Sequence, residues 1–183
     1  MSILLAFAPF LTFAFLQSHL GTTHALWAAA AVSALLIVKE TVIGKKSLKP
    51  LETVSLVMFA GLAFASKQPW FSLSVVGVRL VIDSGLFAMV LLMLAAGQPF
   101  TFSYAREKVP TAVATTQRFL AMNISLSTLW LLAFAVIVAA DAAMLYWPGF
   151  TTVDGTIAIV AAIAIAGLAG MIAPKLFASK AAA

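Results

Sequence analysis

Cysteine is missing from this 183-residue chain, which excludes a disulfide framework, a thiol nucleophile and a thiolate metal site. Charge is nearly as scarce. Asp, Glu, Lys and Arg make up 9% of the residues, and only six side chains are acidic; a soluble domain carries about 25% charged residues. Histidine occurs twice. His19 and His24 flank Gly21, which signals a turn, and no carboxylate or cysteine lies near them to complete a metal site. No nucleotide, flavin, haem or metal motif is present, so no cofactor is expected.

What fills the chain instead is apolar. Hydrophobic residues reach 63% and the mean hydropathy is +1.11. That composition excludes a water-soluble core and implies an all-α, polytopic transmembrane bundle, because a bilayer admits backbone only as helices or closed barrels. Six apolar runs are read, at about Ile3–Leu20, Thr23–Val38, Leu51–Ser66, Phe71–Ala96, Phe119–Ala140 and Thr156–Ala173. The first opens on Met-Ser with no basic n-region, so it is expected to be a membrane span and not a signal peptide. The longest polar interval, Gln98–Gln117, leaves no room for a soluble domain. A single integral-membrane domain over 1–183 is therefore expected.

The net charge of +5 does not point to nucleic acid, since the basic residues fall between apolar runs and not along one helix face. They set an orientation instead. Lys39, Lys45, Lys46, Lys49, Arg106, Lys108, Arg118, Lys175 and Lys180 collect on one side, and Lys67 stands alone on the other. The positive-inside rule then predicts that both termini are cytoplasmic. Trp27, Trp70, Tyr146 and Trp147 fall near the outer ends of spans, as an aromatic belt would.

Three stretches stand out. In VGVRLVIDSGLF, Arg79 and Asp83 are four residues apart in the fourth span, which places them on one helix face. If that span starts at Trp70, they lie about 13 and 20 Å deep; if it starts near Val75, Arg79 stays close to the outer headgroups. An intramembrane polar site of Arg79, Asp83 and Asn123 is the functional reading, and a structural latch to Asn123 or Ser127 is the alternative. In QPFTFSYAREKVP, alternation would set Phe100, Phe102 and Tyr104 on one face of an extended or interfacial segment. Arg106 and Lys108 follow, giving either an interfacial anchor or a docking site for a partner or lipid headgroup. In the last span, Ala158, Ala162, Ala166 and Gly170 form a stripe of small residues, a packing seam within the bundle or between two copies. Trp130, inside the fifth span, is expected to pack.

The runs APFLTFAFLQ, KPLETVSLVMFAGLAFASKQPWF and RFLAMNISLSTLWLLAFAVIVAAD resemble, in order and spacing, the intracellular septation protein A (YciB-like) family of small bacterial inner-membrane proteins. The anchors are Pro9, Gly61, Phe71, Asn123, Trp130 and Phe134. The resemblance implies a multi-pass protein of the bacterial inner membrane, linked to cell-envelope maintenance or division. It has no counterpart for QPFTFSYAREKVP and supplies no catalytic residue. Without a paired base and nucleophile, enzyme activity is not expected. The expected function is a scaffold or accessory subunit, with membrane lipids and other membrane proteins or a second copy as partners. A small transporter or channel built around Arg79 and Asp83 is the alternative.

Overall fold

The structure, a computed structural model, describes residues 3–179, with side chains over 5–173. Lys180, one of the charges that set the orientation, and the side chain of Lys175 lie outside the described residues. Every regular element described is helical. After a 3₁₀ turn at Ile3–Phe7 come α1 (Ala8–Leu20), α2 (Thr22–Val38), α3 (Pro50–Ala65) and α4 (Val75–Ala95). Then follow α5 (Phe100–Ala105), α6 (Thr111–Ala114), α7 (Gln117–Tyr146) and α8 (Thr152–Ser179).

Among the described residues, four stretches are long and apolar enough to cross a membrane: Thr22–Ile43, Val75–Ala95, Gln117–Tyr146 and Thr152–Ala173. The chain is a membrane-embedded helical protein. The helices at Leu5–Leu20 and Pro50–Ala65 are apolar but shorter; at 1.5 Å per residue each reaches roughly 24 Å.

The chain falls into two compact units, Met1–Met89 and Val90–Ala183. In the first, α1 packs on α2 and α2 on α3. Gly21, at φ +76°, provides the left-handed step between α1 and α2 that a side chain would resist. Ala25, Ala29 and Ser33 line α2 at intervals of four and are buried, which lets neighbouring backbones approach closely. Phe59 of α3 fills the space this leaves, its ring centroid 5.2 Å from Phe10 and 6.0 Å from Phe13. Val78 and Ile82 of α4 join the same core.

The α2–α3 turn is unusual. Lys39–Ile43 continue α2 as one π-helical turn, closed by the Gly44 amide donating to the Lys39 carbonyl at 2.9 Å. A Cβ on Gly44 would meet the Glu40 carbonyl oxygen at 2.8 Å, so only glycine fits. Lys49, immediately before Pro50, is extended at φ −101° and ψ 137°, because the proline ring disfavours helical backbone at the preceding residue.

In the second unit, α7 carries the core face. Asn123, Ser127, Trp130, Phe134, Ile137 and Asp141 are all buried. Their spacing alternates four and three, so they form one seam about 27 Å long. Trp130 and Phe134 stack in its middle with centroids 5.8 Å apart. α8 packs along α7, and its N-terminus is held by a reciprocal cap. The Thr151 amide and hydroxyl donate to Asp154 Oδ2 at 2.9 and 2.6 Å, and the Asp154 amide donates back to the Thr151 hydroxyl at 3.3 Å.

Candidate functional site

The best-defined polar cluster lies in the second unit, where α5 meets α7. Pro99 sets it up: its φ of −59° is fixed by the ring, and its carbonyl accepts from the Phe102 amide at 3.0 Å. The following residues therefore turn into a helix. The expectation of an extended segment with three aromatics on one face is corrected. Helical spacing puts Phe100 and Tyr104 together and separates Phe102 from them. Phe100 and Tyr104 are buried and meet edge-to-face with centroids 6.5 Å apart. Phe102 is only partly buried and packs edge-to-face on Phe119 at 5.6 Å. Arg106 and Lys108 sit in an exposed 3₁₀ turn beyond α5.

Between the two buried rings, Thr101 faces α7. Its hydroxyl donates to the Asn123 carbonyl oxygen at 3.0 Å and lies 2.9 Å from Ser127 Oγ. Its amide donates to Ser127 Oγ at 3.3 Å. Asn123 turns its own amide nitrogen to the Phe119 carbonyl at 2.9 Å. The Thr101 and Ser127 hydroxyls, the Thr101 amide and the Asn123 carbonyl thus meet in a buried contact, which makes it strong and costly to leave half-made. Among the described residues, Asn123 Oδ1 is buried with no hydrogen-bond donor.

Arg79 and Asp83 belong to the first unit. α4 starts at Val75, where Ser74 caps it by accepting from the Gly77 amide at 3.1 Å. α4 thus begins at Val75, the later of the two expected starts, and not at Trp70, and Arg79 stands about 6 Å and Asp83 about 12 Å along the helix. Both side chains are half-buried, and each is engaged in a polar or electrostatic interaction. Asn123, named with them from sequence, belongs to the second unit, where its side-chain nitrogen donates to the Phe119 carbonyl.

Sequence reasoning overlooked the most deeply buried charges. It placed Asp83 deepest, yet the carboxylates of Glu40, Glu52 and Asp141 are 6%, 1% and 0% exposed, and Lys49 is 1% exposed. Glu40 sits in the π turn and pairs with Lys46 at 3.4 Å. Glu52 is in the first turn of α3, where the helix dipole favours a carboxylate. The clue was the run KETVIGKKSLKPLE, in which acids and lysines bracket one turn. The π turn, of a kind often found at functional sites, adds to it.

Of the small-residue stripe, Ala162 and Ala166 are buried, while Ala158 and Gly170 are only half-buried. Gly155, one turn earlier than expected, is buried as well and lies against Met144 of α7. A Cβ on Gly170 would meet nothing within 4 Å. Trp27, Trp70, Tyr146 and Trp147 are exposed, and Lys67 Nζ lies 5.4 Å over the Trp27 ring. Among the described residues, no group of three His, Cys, Asp or Glu side chains could hold a metal. In comparison with known proteins, no family model, no curated protein and no solved structure matches this chain.

Proposed function

We propose that this protein is a non-enzymatic multi-pass component of a membrane complex, a scaffold or accessory subunit. The observation that carries the reading is how its polar and apolar groups are divided. The buried Thr101 and Ser127 hydroxyls of the second unit bond each other, the Thr101 amide and the Asn123 carbonyl, whereas α8 turns Ile157, Val160, Ile165, Leu168 and Ile172 outward. A bundle that uses its polar groups for its own cohesion and presents apolar helix faces is suited to packing against lipid and other membrane helices.

In this reading all six long helices cross the bilayer with both termini cytoplasmic. The shorter α1 and α3 fit because flanking lysines snorkel and the bilayer thins locally. The membrane is a bacterial inner membrane, and the role lies in cell-envelope maintenance or division, as the resemblance to the septation protein A family implies. Reporter fusions at Ser47 and Ser103 should read cytoplasmic and one at Gly149 periplasmic; a periplasmic signal at Ser47 overturns the topology. Purification from native membranes in mild detergent should bring down a membrane partner, or a second copy, in fixed stoichiometry. A lone monomer by cross-linking and light scattering would count against the scaffold.

The buried charges of the first unit favour a second reading, a small proton- or cation-coupled transporter, because ionisable groups inside helical membrane proteins commonly line pathways. Purified protein in liposomes decides between the two. Ion flux that depends on Glu40 or Glu52 supports the transporter.

A further inference from the structure

The exposed half of the α5–α7 connection forms a second feature, distinct from the buried Thr101 cluster. A cavity of about 310 Å³ is lined by Phe102, Ala114, Thr115, Thr116, Gln117 and Leu120, a size at the small end of ligand sites. Phe102, Ala114 and Leu120 make its lining partly aromatic and aliphatic, and Thr115, Thr116 and Gln117 add hydroxyl and amide groups. Arg106 follows Phe102 by one helical turn, Lys108 is two residues further, and Arg118 is next to Gln117; all three are exposed. Glu107 is the sole acid between Gln98 and Leu120, so the segment is net positive by two charges.

Position and surface narrow the ligand. The connection joins α4 to α7, two helices long and apolar enough to cross a membrane, so the cavity sits at the end of a span, where lipid phosphates lie. From lining residue Leu120 an apolar ridge then runs along α7 through Ile124, Leu132 and Val136, which are 40%, 60% and 46% exposed. That ridge covers roughly 24 Å of helix. Thr128, the one polar residue on the ridge at that spacing, donates its hydroxyl to the Ile124 carbonyl at 2.9 Å and presents no unmet donor to hydrocarbon. A free phosphate or a soluble peptide has no use for such a ridge; an acyl chain does.

We propose that this cavity binds the headgroup of an anionic phospholipid, with the phosphate held by the basic rim and an acyl chain lying along the Leu120–Val136 ridge. The site requires neither a scaffold nor a transport role. The test uses the full-length protein in detergent, with lipid adducts counted by native mass spectrometry. Phosphatidylglycerol should be retained in preference to phosphatidylcholine of the same chains, and an excess of inorganic phosphate should not displace it. Arg118→Gln should lower bound phosphatidylglycerol about fivefold, the effect of one basic group near an anionic lipid. Ala114→Leu, which fills the cavity without changing charge, should lower it to a similar degree. Lys39→Gln, on the α2–α3 turn, should leave it unchanged. Thermal melts verify that each variant is folded. Equal retention of the two lipids, displacement by phosphate, or full retention by folded Arg118→Gln protein each overturns the proposal. Equal loss in Lys39→Gln does so as well, because it marks diffuse attraction and not a site.

Discussion

Phe59→Ala should destabilise the protein more than any other single truncation on α3. The ring is fully buried and wedged against Phe10 and Phe13, at the point where the small residues of α2 draw the helices together. Truncating a buried Phe in a soluble protein costs about 3–5 kcal/mol, part from transfer to water and part from the cavity left behind. In a membrane protein the transfer part shrinks, because lipid is as apolar as the core. The lost dispersion contacts remain, so a value near 3 kcal/mol is expected. Phe64, five residues on in the same helix, is 67% exposed and supplies the control: Phe64→Ala should stay within about 0.5 kcal/mol. Unfolding in graded SDS, followed by helical circular dichroism, measures both. Equal losses for the two variants would show that α3 faces otherwise than described.

The helices themselves were legible in the sequence; their partners were not. Thr23–Val38, Leu51–Ser66 and Phe119–Ala140 each overlap a helix whose ends differ by a few residues, because a long apolar run has one solution in hydrocarbon. The α4 start was misplaced by four residues. The Trp70–Phe71 pair is as apolar as the helix, and only the Ser74 cap marks where helical hydrogen bonding begins. The α5 segment was misread for a different reason. Alternating aromatic and hydroxyl residues are the sign of a strand, and six residues are too few to display helical periodicity. What settles it is Pro99 ahead of the segment together with the Thr101 bonds to α7, and the second of these is a contact 22 and 26 residues away.

The buried charges illustrate a further limit. Glu40, Lys49 and Glu52 border apolar runs, and a residue at a span end faces headgroups, water or another helix depending on what packs beside it. Hydropathy carries no information about that choice. Asp141 on α7 is the same case: its burial follows from lying on the Asn123–Asp141 seam, and the four-three spacing of that seam is visible in the sequence. Reading heptad spacing along α7, and not mean hydropathy alone, would have marked Asp141 as inward.

The Thr101 cluster is where a small change should have a disproportionate effect. Thr101→Val keeps the shape and volume of the side chain but removes the hydroxyl that donates to the Asn123 carbonyl and meets Ser127 Oγ. Two buried polar atoms then lose a partner, at a cost of about 1–3 kcal/mol. Ser127→Ala removes the other end: it strips the acceptor from the Thr101 amide and the hydroxyl that donates to Thr101 Oγ1, and should cost a similar amount. Because both act through shared bonds, the double variant should lose less than the two single losses added, by at least about 0.5 kcal/mol. The loss should appear first at α5. Limited proteolysis near Arg106 and Lys108, which are already exposed, should accelerate in each single variant while α8 stays protected. Strict additivity, with unchanged cleavage at Arg106, would mean that α5 is held to α7 by Phe100, Tyr104 and Phe102 alone and that the hydroxyl network contributes nothing to its docking.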